Sequence, residues 1–222
     1  FPSSKLDVHQ QLEIRRGAID ALALIGPDAS IAVPVLMDYL YDSNDLLRAK
    51  VVIALGAIGP SASPASSAVA EKLLFDDAEE VRREAALALA KLGTDGERLL
   101  TGLTRDEEPL VREFCLIALG QNSSLSEEAV TGLTSSKADE TVQVHFAAAK
   151  SLVNQSQQRA QVVSTLIDLL IGSERKTRRE AADLWVVIKP DAEEWSRLER
   201  MMKSTMDEYS RRIWNSMQRS RP

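Results

Sequence analysis

Four pairs of an acidic and a basic residue recur with a single offset. Asp42 precedes Arg48 by six residues, Asp76 precedes Arg82, Asp106 precedes Arg112, and Asp139 precedes His145. A carboxylate and a guanidinium at a fixed spacing can do one of two things. They can pair with each other, with the turn backbone or with a neighbouring repeat, as a structural ladder. Alternatively the arginines can stand in a row on the surface and hold a ligand. The recurrence favours the ladder, because a charge whose partner returns at the same offset is more readily satisfied internally. An Asp just ahead of a helix also complements its N-terminal dipole. The last two repeats carry Gly172 and Ser204 where the Asp would fall, so the ladder is expected to weaken there.

The other reactive residue types are sparse. The single cysteine, Cys115, falls at a position that alanine occupies elsewhere and reads as a buried inert thiol. There are two histidines, His9 and His145, and no spacing suits a metal. No Gly-rich phosphate loop and no Ser-His-Asp set is present. Two basic clusters lie near the C-terminus. Arg175, Lys176, Arg178 and Arg179 surround a helix start, and Arg211 and Arg212 follow later. They read as a solvated face, with an anionic-partner patch as the alternative.

The elements that position these residues are helices. Val81 to Gly93 (VRREAALALAKLG) places Val81, Ala85, Ala88, Leu89 and Leu92 on one stripe at 3.6 residues per turn, and Gly93 is a stop. Alanine at contact positions admits a close neighbour, yet such a helix buries too little to stand alone. The same pattern returns from Ile14, Leu47, Val111, Val144, Thr177 and Tyr209, at spacings of 33, 34, 30, 33, 33 and 32 residues. Gly26-Pro27 and Gly59-Pro60 end the first two segments, while Tyr209 to Met217 is polar enough to cap the array. Shorter helices are expected over 34–41, 65–75, 97–104, 126–134, 160–171 and 193–204. Trp185 takes an inward leucine position as core filler, and Trp195 and Trp214 read as core or cap contacts.

The fold class expected is all-α, a right-handed solenoid of helical hairpins. Residues 1–222 form one domain of about six and a half repeats, with second helices near 12–25, 45–58, 79–92, 109–120, 140–153, 175–188 and 207–218. Composition fits, with 44% hydrophobic, 27% charged and only 5% aromatic residues. No run of 18 uninterrupted apolar residues occurs, so membrane insertion is not expected. Net charge is −6 but uneven. Residues 1–172 hold 15 Lys and Arg against 24 Asp and Glu, whereas residues 173–222 hold 12 against 9. An acidic body argues against nucleic acid as the main partner. The chain opens on Phe1 and shows no signal-peptide pattern, so it reads as a processed product or an excised segment.

The pattern V-R-x-x-A-A-x-A-L-x-x-L-G, with Asp six before Arg and Pro34 eight before Asp42, resembles HEAT repeats. It is closest to the short HEAT-like kind found in phycobilisome lyases and many bacterial proteins. The period is shorter than the ~40–47 residues of HEAT and armadillo repeats, and the segments from Val144 onward drift. The resemblance implies a bacterial, non-catalytic scaffold that binds a protein or peptide partner and needs no cofactor. Some relatives are enzymes. HEAT-like hydroxylases hold iron through His-Glu dipeptides, but here Gln10 follows His9 and Phe146 follows His145. The alternative function is a DNA-base glycosylase, which would need a basic groove with aromatics and a carboxylate, or a bilin lyase.

In such arrays the second helices line the concave face. Counting Val81 as zero, positions 2, 3 and 6 point there, and they place Ile53, Leu87, Phe114, Ile117 and Phe146 in an apolar strip flanked by charge. The strip is either an exposed groove for a peptide or helix, or core between closely packed neighbours.

Overall fold

A computed structural model of the chain describes residues 7–122, 125–135, 141–153, 159–172, 175–203 and 207–219. Among them are thirteen α-helices and no strand. They divide into two compact units, residues 1–103 and 104–222.

In the first unit, α1 (Val8–Ile25) is followed by a 3-10 turn, α2 (Val33–Tyr39), α3 (Asp45–Ile58), a second 3-10 turn, α4 (Ser66–Phe75), α5 (Glu79–Leu89) and α6 (Thr94–Leu103). Helix starts follow local chemistry. Asp7 and Gln10 form a reciprocal capping box, and Asn44 accepts the Leu47 N–H at 2.9 Å. Gly26 and Gly59 cap the ends of α1 and α3 at φ of 66° and 73°, and Gly93, at 84°, closes the turn that follows α5, whose C-cap is Ala90; a β-carbon would be strained at each glycine. The long helices α1, α3 and α5 pack side by side, and the short α2 and α4 lie against α3 and α5. The core is aliphatic: Leu47, Val51, Leu55, Val81, Ala85 and Leu89 are fully buried. Close approach depends on small residues, since a β-carbon on Gly56 would lie 3.0 Å from the Ala88 Cα.

The second unit holds α7 (Pro109–Leu119), α8 (Glu127–Ser135), α9 (Val142–Leu152), α10 (Arg159–Gly172), α11 (Arg175–Val187), α12 (Ala192–Lys203) and α13 (Glu208–Gln218). Helix α7 packs on α9, α9 on α8 and α10, and α11 on α10 and α13. At the α7–α9 crossing the Ser151 hydroxyl donates to the Leu116 carbonyl at 2.6 Å. A β-carbon on Gly120 would fall 2.3 Å from that hydroxyl oxygen, so only glycine fits there. Trp185 and Trp195 are buried edge to face, 5.8 Å between ring centroids, and Trp214 continues the row at 6.0 Å.

The expected short helices are all present, with ends shifted by at most three residues; 97–104, for example, is Thr94–Leu103. Two apolar helical stretches, His9–Tyr39 and Asp45–Phe75, are long and apolar enough to cross a membrane by length and composition. Neither is one continuous α-helix, because Gly26 and Gly59 break each at a positive φ. The second stretch is mostly buried against its neighbours.

Candidate functional site

The acidic and basic residues of the ladder sit where one hairpin turns into its second helix. Asp42 accepts the Asn44 N–H at 2.8 Å, Asp76 the Ala78 N–H at 3.1 Å and Asp106 the Glu108 N–H at 2.9 Å. Each carboxylate thereby closes its own turn. The arginines divide their donors. Arg48 donates through Nη1 to the Asp42 carbonyl at 3.0 Å, six residues back, and Arg112 does the same to the Asp106 carbonyl at 2.8 Å. The rest of the fork reaches forward to the next repeat. Arg48 Nε and Nη2 hold the Asp76 carboxylate at 2.8 and 2.7 Å, and Nη2 also reaches Asp77 at 2.6 Å. Arg112 Nη2 lies 3.5 Å from the Thr141 hydroxyl, and Arg15 lies 3.9 Å from Asp42. Arg82 Nε donates to the Leu73 carbonyl at 3.1 Å. Asp139 and the His145 side chain lie outside the described residues.

The side chains of Arg48 and Asp76 are 9% and 2% exposed. Burial alone would push the Asp76 carboxyl up. The Arg48 hydrogen bonds, the Ala78 N–H and the Arg48 charge outweigh it and hold the group below the usual carboxylate range.

The ladder's expected weakening needs correction in the sixth segment. Arg178 has no Asp six residues back, yet it donates to Asp207 at 3.0 Å and to the Ser210 hydroxyl at 2.6 Å. The forward link needs only a carboxylate at the start of the next second helix. The α13 N-cap supplies it. Asp207 accepts the Ser210 N–H at 2.6 Å, and that bond, the Ser210 hydroxyl and Arg178 together lower its pKa to about 2. Asp76 and Asp207 are depressed in the folded state, so they stabilise above the unfolded carboxylate pKa of about 4. That contribution is lost as pH falls through their folded values. Melting temperature is therefore expected to drop between about pH 4 and pH 2. Asp207→Asn should already be less stable at pH 7 and should show a smaller acid decrement than the parent, measured by thermal melts across that window.

The apolar strip does not behave as a set. In the first unit Ile53 on α3 is 46% exposed and Leu87 on α5 is half-buried. In the second, Ile117 on α7 is exposed and Phe146 on α9 half-buried, but Phe114 is only 7% exposed. Phe114 is core, a correction to any reading of it as groove lining. Position 3 turns toward packed neighbours where position 6 does not. On the same face of the first unit Lys50 holds Asp20 of α1 at 2.5 Å.

The basic residues are likewise not one patch. Arg178 is half-buried and occupied by the ladder, while Arg175, Lys176, Arg179, Arg211 and Arg212 are exposed. Arg175 stacks over Tyr209 at 5.4 Å, and the Tyr209 hydroxyl donates to the Arg175 carbonyl at 3.0 Å. Arg212 pairs with Glu208 at 2.6 Å. Arg179, Asp183, Tyr209 and Arg212 line a groove of about 450 Å³ between α11 and α13, mixed in charge. Sequence reasoning missed Asp77, Asp207, Tyr209 and Ser210. Asp207 was accessible as an N-cap signal, an Asp three residues ahead of Ser210 at a helix start.

Cys115 is buried, and burial, with a smaller effect of Asp106, pushes its thiol well above the ordinary range. Among the described residues no cluster of His, Cys, Asp and Glu could hold a metal ion.

Residues 4–90 and 67–152 match the model of a family described as HEAT repeats. A search of curated proteins gave no match. Among solved structures, a chain of the Pds5–Scc1 complex superposes with a TM-score of 0.57 at 13% identity, covering 95% of this chain and 39% of that one. An engineered protein superposes at 0.51 and 20% identity, covering 85% of this chain and 96% of its own. A designed armadillo repeat protein crystallised with a (KR)4 peptide gives 0.46 at 19% identity, over 81% and 92% of the two chains. At these identities the likeness is one of fold.

Proposed function

Because this chain belongs to the HEAT-repeat family, we propose that it is a non-catalytic scaffold that binds a protein or peptide partner on the face formed by its second helices. Such repeat folds typically serve as interaction scaffolds, and they bind through extended surfaces that stacked repeats create. In this reading residues 1–222 act as one repeat array. The observation that carries it is the exposure of Ile53 and Ile117 at the same register position of α3 and α7. Each is a β-branched apolar side chain left in solvent on a helix anchored by buried neighbours. Leu87 and Phe146, half-buried, extend each patch. Charged residues flank them: Asp20, Lys50 and Arg83 in the first unit, and Glu113 and Lys150 in the second. An apolar centre with a polar rim is the composition of a protein-binding surface. The ladder adds to this. Charge-assisted hydrogen bonds between successive turns hold the helices in place before a partner arrives, which lowers the ordering cost of binding.

The test is substitution of the exposed pair. Ile53→Glu with Ile117→Glu is expected to shift stability by no more than about 1 kcal/mol, since both sites are surface positions. Capture of a partner from source lysate should nonetheless fall by at least about tenfold, the effect of roughly 1.4 kcal/mol of lost contact. Phe114→Glu is the control: it should lose the fold, not only the partner. A charged pair that leaves capture unchanged would remove this face from the function.

A further inference from the structure

The groove of about 450 Å³ between α11 and α13 is graded along its length. The two helices lie with their N-terminal ends together, since Arg175 stacks over Tyr209 and its carbonyl accepts the Tyr209 hydroxyl. Arg179 and Arg212 line the groove toward those ends, and Val186 and Met217 line it toward the C-terminal ends, with Ile213 buried between. One end is therefore cationic and the other aliphatic.

The cationic end is not neutralised from within. Asp207, the carboxylate that ends the ladder, is held by Arg178 and by the Ser210 N–H. Among the described residues the Arg179 guanidinium has no hydrogen bond or ion pair, although Asp183 lines the groove one turn away. Arg212 pairs only with Glu208, in a contact 77% and 79% exposed. Such a pair contributes little and opens readily. Arg175, Lys176 and Arg211, exposed on the same two helices, extend the positive rim.

Charge and dimensions together name an occupant. From Arg179 to Val186 is about 10 Å at 1.5 Å per helical residue, the reach of about three residues of extended chain. The volume lies low in the range of pockets that enclose small ligands, roughly 300–1,000 Å³. It accepts side chains from a single strand and not the face of a folded domain. Nucleic acid fits less well. Tyr209, the one aromatic residue lining the groove, is already engaged by Arg175 and Arg178, whereas single strands are held by open aromatic faces. Asp183 and a net charge of −6 also oppose a polyanion. We propose that the α11–α13 groove binds an acidic peptide segment of a partner protein in extended form. A Glu or Asp meets Arg179 and Arg212, and a Val, Leu or Met about three residues away covers Val186 and Met217. None of these residues belongs to the Ile53 and Ile117 patches.

Fluorescence anisotropy with a labelled peptide, Gly-Glu-Glu-Ala-Ala-Leu-Leu-Gly, tests the proposal on the full chain. Binding is expected with a dissociation constant below about 100 μM, weakening several-fold between about 50 and 300 mM salt because the arginines are exposed. Arg179→Ala with Arg212→Ala should weaken it at least about tenfold while the melting temperature stays within about 2 °C. Asp183→Asn should tighten it about two- to threefold, since it removes the repelling carboxylate. A damaged fold cannot produce that gain. No binding up to about 1 mM, equal binding of a peptide with Lys in place of both Glu, or no response to either variant overturns the proposal. So does tighter binding of a short oligothymidylate, which would make the ligand nucleic acid. Light scattering that shows a parent dimer dissociated by the double arginine variant would also overturn it, because a second copy is then the occupant. The capture experiment on Ile53 and Ile117 leaves α11 and α13 untouched, so either reading can fail without the other.

Discussion

Leu89→Asp is expected to abolish the cooperative melt of the first unit. Leu89 is fully buried on α5 among Val81, Ala85 and Leu92. The change removes a leucine's worth of buried contact, about 2–5 kcal/mol by comparison with Leu→Ala. It also places a carboxyl where no donor waits, at a further cost of several kcal/mol whether the group stays charged or takes up a proton. Together these match or exceed the 5–15 kcal/mol that holds a typical domain together. Repeat arrays distribute stability between neighbours, so loss at α5 should also loosen α3 and α4, which both pack on it. Circular dichroism across a thermal ramp is the measurement. A cooperative transition within a few degrees of the parent's would refute the assignment of α5 as the centre of this unit.

Asp76→Ala is expected to cost about 3–5 kcal/mol, the range for removing one partner of a buried ion pair. Arg48 would keep its bonds to the Asp42 carbonyl and Asp77 but would lose both arms of its bidentate grip. A guanidinium this buried cannot neutralise itself. The double variant Arg48→Met with Asp76→Leu should recover much of the loss, since apolar groups of similar volume often replace a buried pair at little cost. Urea denaturation of the two singles and the double gives the coupling. Additive losses would show that the bidentate contact is not the interaction that matters.

Most of the architecture was legible because it rests on local rules. The Ala and Leu stripe gives each second helix its inward face, so α1, α3 and α5 follow from the sequence, as do the stops of α1 and α3 at Gly26 and Gly59, whereas α5 ends with its C-cap at Ala90, ahead of Gly93. Contacts between repeats were less legible. A search at one fixed offset finds Asp42, Asp76 and Asp106 but passes over Asp207, which does the same work from an N-cap position. Phe114 and Ile117 lie on the same side of α7 by periodicity. Which of them a neighbour covers depends on how closely the helices cross, and that is set by small residues elsewhere, such as Gly120 against Ser151. The exposure of α1 was hidden for the converse reason. Periodicity marks Ile14 and Ile25 as inward, yet they are 57% and 54% exposed, because the pattern does not say whether a covering helix is there.

Hydrogen exchange on the chain with its captured partner, residue by residue against the free chain, tests the scaffold account most directly. Partner binding should slow exchange at and around Ile53, Leu87, Ile117 and Phe146 on α3, α5, α7 and α9, and should leave α2, α4 and α8 unchanged. Protection confined to the α11–α13 groove around Arg179 and Arg212, or to α1 alone, would contradict it.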